Sequence, residues 1–390
     1  MLARKCVLWL TLSIIIVGYA ASGRADISNA AVLFLRIVNS PQANGMGTCV
    51  VNLVNEESAY YNPGTLGLFH LDKVVAVTFP NSTKWFPDLA DDIRFKTWHA
   101  GGGVSDRLVT GRTGGRFNAS LGLAYSYVRF DYGEFTRVDP YGQVLSTYET
   151  YDAAKCYTVA LGVEYYLRLG VGCTLKKIES KLAEQGAGAE TTPGFARGDA
   201  HDYGMIVELP VDRWFTNGII LHDSPGGRLD LRVTPSFAYV RSNVGDDMEY
   251  IDAAQSDPLP KMSRMGFSVA GALDWNEREC LAIRGVVESE TLLLGERPKA
   301  SKRGVELGAL GIAYFRLGDN DDEVPDSDLP TWGFGFRLRG VIQWLRLTER
   351  LAFARGIPGY LARHFDLSFD FARWRGAGGK TQFMRLGLSF

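Results

Sequence analysis

Apolar and polar residues alternate along most of the chain from about residue 73 to the final Phe390. In Thr331–Leu345, Trp332, Phe334, Phe336, Leu338, Gly340, Ile342 and Trp344 fall on one face, with Arg337, Arg339 and Gln343 on the other. Between residues 364 and 374, Phe365, Leu367, Phe369 and Phe371 oppose His364, Asp366, Ser368 and Asp370. Phe117–Tyr127 and Leu229–Tyr239 behave alike, as do Met265–Trp275 and Val305–Leu317. A period of two sends successive side chains to opposite faces of a strand. The pattern predicts strands at Lys73–Phe79, Asp92–Val104, Phe117–Asp131, Ala154–Tyr166, Arg168–Ser180, Ala200–Leu209 and Leu229–Val240. It continues with Ser263–Trp275, Cys280–Thr291, Arg303–Leu317, Thr331–Leu345, His364–Trp374 and Thr381–Phe390.

Such a procession builds either a soluble sandwich or a membrane barrel. Strand length favours the barrel: the runs are about 9–13 residues, where spanning strands need about 9–11 and soluble strands centre on about 5–6. Aromatic residues close several apolar faces, among them Trp332 and Trp344, Phe117 and Tyr127, and Trp275. That is the placement of interfacial girdles. The polar faces carry full charges in mid-strand, as at Arg337, Arg339, Asp366 and Asp370. The fold expected is an all-β transmembrane antiparallel barrel. Thirteen strands are counted, but bacterial single-chain barrels have even numbers. Fourteen are therefore expected, with the missing one near Arg213–Leu221.

The last ten residues put Met384, Leu386, Leu388 and Phe390 on one face. They resemble the carboxyl-terminal recognition strand of bacterial outer-membrane proteins, which implies handling by the barrel assembly machinery through Phe390 and a place in outer-membrane lipid. At the other end, Arg4 and Lys5 precede an apolar run from Val7 to Val17 and then small residues. This reads as a secretory signal peptide over residues 1–25, cut somewhere between 20 and 25. Removing Arg4, Lys5 and Arg24 leaves 39 basic against 44 acidic residues, a formal net charge of −5. An acidic balance argues against a nucleic-acid partner.

Cys49, Cys156, Cys173 and Cys280 remain after the leader. Alternation places Cys156 opposite the apolar face of its strand and Cys173 on the apolar face of its own, so the two cannot bridge. Four buried free thiols are expected. No nucleophile elbow, no Cys/His cluster at metal-ligand spacing and no phosphate-binding loop is present, so neither an enzyme nor a metal or cofactor site is expected. Glu184–Gly198 and the acidic stretch Asp319–Asp328 read as external loops, and Leu347–Arg363 as a short helix. Arg232, Arg264, Arg337 and Arg339 fall on lumen-phase positions. They either guide a carboxylate-bearing cargo or pair internally with groups such as Asp230, Glu288, Asp366 and Asp370.

One stretch does not alternate. Residues 34–68 contain Phe34-Leu35-Arg36-Ile37, Ala43-Asn44-Gly45-Met46-Gly47 and Tyr60-Tyr61-Asn62-Pro63-Gly64. The Gly45-Met46-Gly47 turn followed by Asn62-Pro63 resembles the amino terminus of the FadL-like superfamily, in its PorV/PorQ-type branch and related uncharacterised outer-membrane families. The resemblance implies a fourteen-stranded barrel (residues 70–390) plugged by a hatch (residues 26–69) folded inside the lumen. In the FadL branch the hatch helps bind long-chain fatty acids, which leave sideways through a strand kink. The resemblance therefore implies that Asn62, Pro63, Gly64, Tyr60, Tyr61, Gly45, Met46 and Gly47 form a hatch that meets a fatty acid or similar hydrophobic cargo. The alternative it implies is a PorV-like docking component of a secretion or surface-attachment complex. Gly64 stands where the family pattern has alanine, and glycine's wider range of backbone angles suggests a difference in hatch flexibility. The Asn62 side chain is expected to bond backbone that has no strand partner.

Overall fold

The computed structural model describes residues 30–85, 87–88, 92–110, 117–139, 141–183, 194–250, 256–293, 299–321, 331–345, 365–376 and 379–390. The expected leader, residues 184–193 of the first expected loop, the acidic stretch beyond Asp321, the helix expected at Leu347–Arg363 and His364 lie outside the described residues; Phe195–Gly198 and Asp319–Asp321, expected in loops, are strand.

Fourteen antiparallel strands close into a barrel. They are β1 Val75–Lys84, β2 Arg94–Ser105, β3 Asn118–Val138, β4 Val144–Glu164, β5 Arg168–Lys181, β6 Phe195–Glu208 and β7 Gly227–Gly245. Then follow β8 Met262–Trp275, β9 Arg278–Leu292, β10 Ala300–Ala309, β11 Ala313–Asp321, β12 Thr331–Arg337, β13 Asp366–Gly376 and β14 Gly379–Ser389. Each pairs with the next, and β14 returns to β1. The helices are α1 Pro41–Asn44, α2 Gly64–Phe69, α3 Asp106–Thr110 and α4 Leu338–Trp344. The end of the barrel that carries Val75 and Phe390 is called the lower end below.

The outward phase is apolar: Leu121, Leu123, Val159, Leu161, Phe267, Val269, Ile283, Leu307, Phe315 and Phe334 are all exposed. Outward charges such as Lys155, Lys177, Arg197 and Arg303 sit toward the upper ends of their strands, above this belt. A belt of that extent would be an aggregation surface in water and is the lipid face of a membrane barrel. Closure removes the sheet edge, which the bilayer requires. The protein is an integral outer-membrane β-barrel. At the closing seam β1 and β14 pair only over Ala76–Thr78. The seam is extended by Val74 and Val75 N–H donating to the Phe390 carbonyl at 2.7 and 2.9 Å. Above it, the Asn81 amide donates to the Met384 carbonyl.

Two expectations about the wall are corrected. The fourteenth strand is not near Arg213–Leu221. That region holds a 3-10 turn, Val211–Trp214, and a short strand, Ile219–Ser224, that pairs only with β7. The extra strand comes instead from Arg303–Leu317, which is two strands, β10 and β11, joined at Leu310–Ile312. Leu310 and Gly311 both take left-handed backbone angles, with φ 59° and 63°. Because Ala309 pairs with Ala313, Leu307 with Phe315 and Val305 with Leu317, the apolar phase crosses the turn unbroken. Period-two reading cannot see such a turn.

The run Thr331–Leu345 likewise stops being a strand at Arg337. β11 supplies its last ladder partner at Ala313, opposite Phe336, and Ile312 O accepts the Arg337 N–H at 2.8 Å. Beyond that point the backbone donors need other partners, and Leu338–Trp344 satisfies them as α4. Trp344 is therefore not a girdle residue on the wall; its indole N–H donates to Leu310 O at 2.8 Å. All four cysteines are free, as expected, but only Cys49 and Cys156 are buried; Cys173 faces outward and Cys280 is half-buried.

Candidate functional site

Residues 30–72 run inside the lumen from the upper loops, where Ala31 N–H meets Pro258 O at 3.0 Å, to the lower rim. This lumen segment is called the hatch below, and both of its sequence motifs are seated directly on the wall. Gly47 has φ +66°, and its N–H donates to Thr331 Oγ1 at 2.9 Å. Met46 is fully buried against Gly304 and Gly318. A Cβ on Gly304 would lie 2.5 Å from that of Met46, so the wall must be glycine there.

At the second motif Asn62 is fully buried. Its Nδ2 donates to Val51 O at 2.9 Å within the hatch and to Met205 O of β6 at 3.2 Å; its Oδ1 accepts the Gly64 N–H at 3.1 Å. One side chain thus ties two hatch segments to the wall and caps the turn into α2. Gly64 opens α2 in a helical conformation, which corrects the expectation that its backbone freedom is what matters. The reason is space. A Cβ on Gly64 would stand 2.8 Å from Gly170 O and from the Met205 Cα, and one on Gly67 would stand 2.3 Å from Leu161 O. Pro63 abuts Gly172 and Gly204.

Tyr60 and Tyr61 meet edge to face at 4.9 Å. The Tyr61 hydroxyl accepts the Asn39 N–H at 3.0 Å, and the Lys176 ammonium sits 5.2 Å from the Tyr60 ring centre. Burial pushes both phenols well up, so they stay neutral. Charges complete the latching. Glu57 pairs with Arg385 at 3.1 Å, Arg36 with Glu290 at 3.0 Å, and Asp72 with Arg107 at 3.2 Å. Glu288 accepts the N–H groups of Val50 and Val51 at 2.6 and 3.0 Å.

The four lumen arginines divide. Arg264 lies in the upper lumen, 2.9 Å from Glu290, and donates to Arg36 O. Arg232, Arg337 and Arg339 instead converge on one cavity of about 620 Å³ in the lower lumen, on the β7–β12 side. Arg339 reaches it from α4 rather than from a strand face, which corrects its assignment to the wall. Internal pairing accounts for Arg232, which bonds Asp274 at 2.9 Å and Glu279 at 3.1 Å. It also accounts for Arg337, 3.1 Å from Asp370. Asp370 additionally holds Arg316 at 2.7 Å and Arg385. A second cavity of about 170 Å³ shares Arg232, Glu279 and Tyr314 with the first. It rises past Ala270, Ala272 and Ala282 to Glu306, where the hatch residue Gln42 donates at 3.1 Å.

Sequence reading missed Gly67, Asp212, Glu277 and Tyr314. Gly67 could have been found: lumen-phase glycines at 162 and 170 leave room on the wall that hatch backbone fills.

No family model matches the chain, and no curated protein matches it. Solved structures do. The toluene transporter TbuX of Ralstonia pickettii is similar at 12% identity and TM-score 0.44, over 90% of this chain and 97% of that one. The Pseudomonas putida toluene transporter TodX gives 10% and 0.37, over 95% and 98%. A FadL homologue of Pseudomonas aeruginosa gives 10% and 0.34, over 90% and 97%. The chain resembles FadL-like barrels in fold. At these values the likeness concerns the barrel and carries no cargo with it.

Proposed function

We propose that this barrel carries hydrophobic small molecules, long-chain fatty acids among them, across the outer membrane past its hatch. The observation that supports this is the upper lumen. Trp85, Phe95, Phe130, Trp374 and Phe383 point inward and pack ring against ring, with Trp85 5.7 Å from Trp374 and Phe95 5.7 Å from Phe130. Ala31, Val32, Phe34, Leu35 and Val38 of the hatch belong to the same cluster. The interior of a pore for polar solutes is polar and wet. An aromatic interior at one mouth suits an apolar cargo, and the TbuX and TodX structures, described as toluene transporters, are in keeping with it.

Labelled oleate titrated into the purified barrel in a non-ionic detergent tests the reading. Saturable binding in the micromolar range is expected, weakened at least tenfold by Phe95→Ala, with uptake lost in Asn62→Ala. Absence of saturable binding would sink it.

A second reading, docking within a surface complex, is favoured by one feature. The β3–β4 hairpin leaves its neighbours at Asp131 and Tyr151 and continues alone through Gly133–Val138 and Val144–Thr150. That projects a ribbon about 20 Å beyond the wall. Its tip exposes Val138, Tyr141, Val144 and Leu145. Stoichiometric co-purification of a partner that is lost when residues 134–149 are replaced by a short turn would favour docking over transport.

A further inference from the structure

The cavity beneath the hatch carries chemistry that an apolar cargo does not use. Its lining includes six carboxylates, at Asp212, Asp230, Asp274, Glu277, Glu279 and Asp366, and four guanidiniums, at Arg228, Arg232, Arg337 and Arg339. Most of these charges are neutralised within the protein. Arg228 pairs with Asp230 at 2.7 Å, and Arg232 holds Asp274 and Glu279. Arg337 holds Asp370, and Asp366 accepts the backbone N–H of Arg339 at 3.1 Å and interacts with the Lys73 ammonium. Three side chains remain. The Arg339 guanidinium and the carboxylates of Asp212 and Glu277 have no ion pair or side-chain hydrogen bond among the described residues, and all three face the one cavity.

We propose that this cavity binds a small zwitterion, its carboxylate received by Arg339 and its ammonium by Asp212 and Glu277. Unpaired charges of both signs in one cleft select an occupant that bears both. A lone anion meets a net charge of −2 from the ten ionised side chains of the lining and is repelled. A lone amine leaves the guanidinium uncompensated in a partly enclosed site. An occupant with both groups forms charge-assisted hydrogen bonds at each end. The volume, about 620 Å³, lies within the range of small-ligand sites. The site lies below the hatch, on the flank that α2 leaves empty. It does not depend on what the upper lumen carries.

Isothermal titration of the full-length barrel in a non-ionic detergent, with blank titrations into micelles, decides the matter using 6-aminohexanoate, hexanoate and pentylamine. Saturable binding of 6-aminohexanoate is expected, at least tenfold tighter than either singly charged analogue. Arg339→Gln and Glu277→Gln should each weaken it at least tenfold without moving the thermal transition. Arg303→Gln, at the exposed upper end of β10, should leave binding unchanged. Equal binding of hexanoate or of pentylamine would overturn the proposal, as would no binding at all, or binding indifferent to both cavity variants. Oleate binding is read separately, so failure here and failure of the hydrophobic-cargo reading are distinguishable.

Discussion

The two flanks of the lumen are built on different principles. On the β3–β6 flank the hatch is held mainly by shape, with the Asp72–Arg168 ion pair confined to the lower rim. Helix α2 lies against Gly162 and Gly170 with main chain touching main chain, Pro63 and Asn62 just before it sit on Gly172 and Gly204, and no ion pair is needed where Gly64 and Gly67 meet the strands. On the β7–β14 flank charge does the holding. Asp370 gathers Arg316, Arg337 and Arg385, Arg385 reaches Glu57 of the hatch, and below them a charged cavity stays open. Close packing leaves no room for water, whereas paired charges tolerate it. The difference teaches where a plugged barrel can be both sealed and wet: sealed where side chains are deleted, wet where they are long and ionised.

The largest expected effect attacks the charged flank. Asp370→Asn leaves the buried Arg316 and Arg385 and the half-buried Arg337 short of their shared counter-ion and should cost about 3–5 kcal/mol of unfolding free energy. Urea titration in detergent reads it; a loss below about 1 kcal/mol would mean that the cluster is hydrated and the contrast between the flanks is false. Next, Gly67→Leu puts a side chain where the Leu161 carbonyl stands and should cost about 3 kcal/mol or unseat α2. Planar-bilayer conductance should then rise. Unchanged stability and conductance would show that the seat is loose.

Gln343→Trp, by contrast, fills open space in the larger cavity on the wet flank and should change stability by no more than about 0.5 kcal/mol while blocking 6-aminohexanoate binding. A large destabilisation there would mean that the cavity is not empty space. The smallest effect is electrostatic. Burial, with the Arg339 charge nearby, lowers the Lys73 ammonium at the lower rim to about 8. Between about pH 8 and pH 10 the unfolded chain binds more protons at this residue than the folded one does, so stability should rise with pH through that window. Lys73→Met should remove that rise, and an identical pH profile in the variant would contradict it.

Much of the wall was legible because a strand writes its two faces into consecutive residues. Arg232, Arg264 and Arg337 were placed in the lumen by phase alone. The same rule failed at Leu310–Ile312, where a three-residue turn preserves the phase. It failed again at Leu338, where alternation continues in the letters after the ladder has lost its partner. The hatch motifs identified a plug, but not what they touch. The partners of Asn62 and Gly64 are Met205 and Gly170, and such distant contacts leave no period in the sequence. The charged cavity was illegible for a related reason: Asp212 and Glu277 lie in turns, and Arg339 lies in a helix that reads as a strand.

The glycine seats bear on how the molecule is made. A plug whose main chain lies against the strands' own main chain leaves no slack for threading into a finished cylinder at those contacts. The wall has to be wound round a hatch that is already present, which suits a chain that delivers residues 30–72 first. The cylinder then closes last at the β1–β14 seam, where the ladder is short: Ala76–Thr78, the bonds between Phe390 and residues 74–75, and the Asn81 amide on Met384 O.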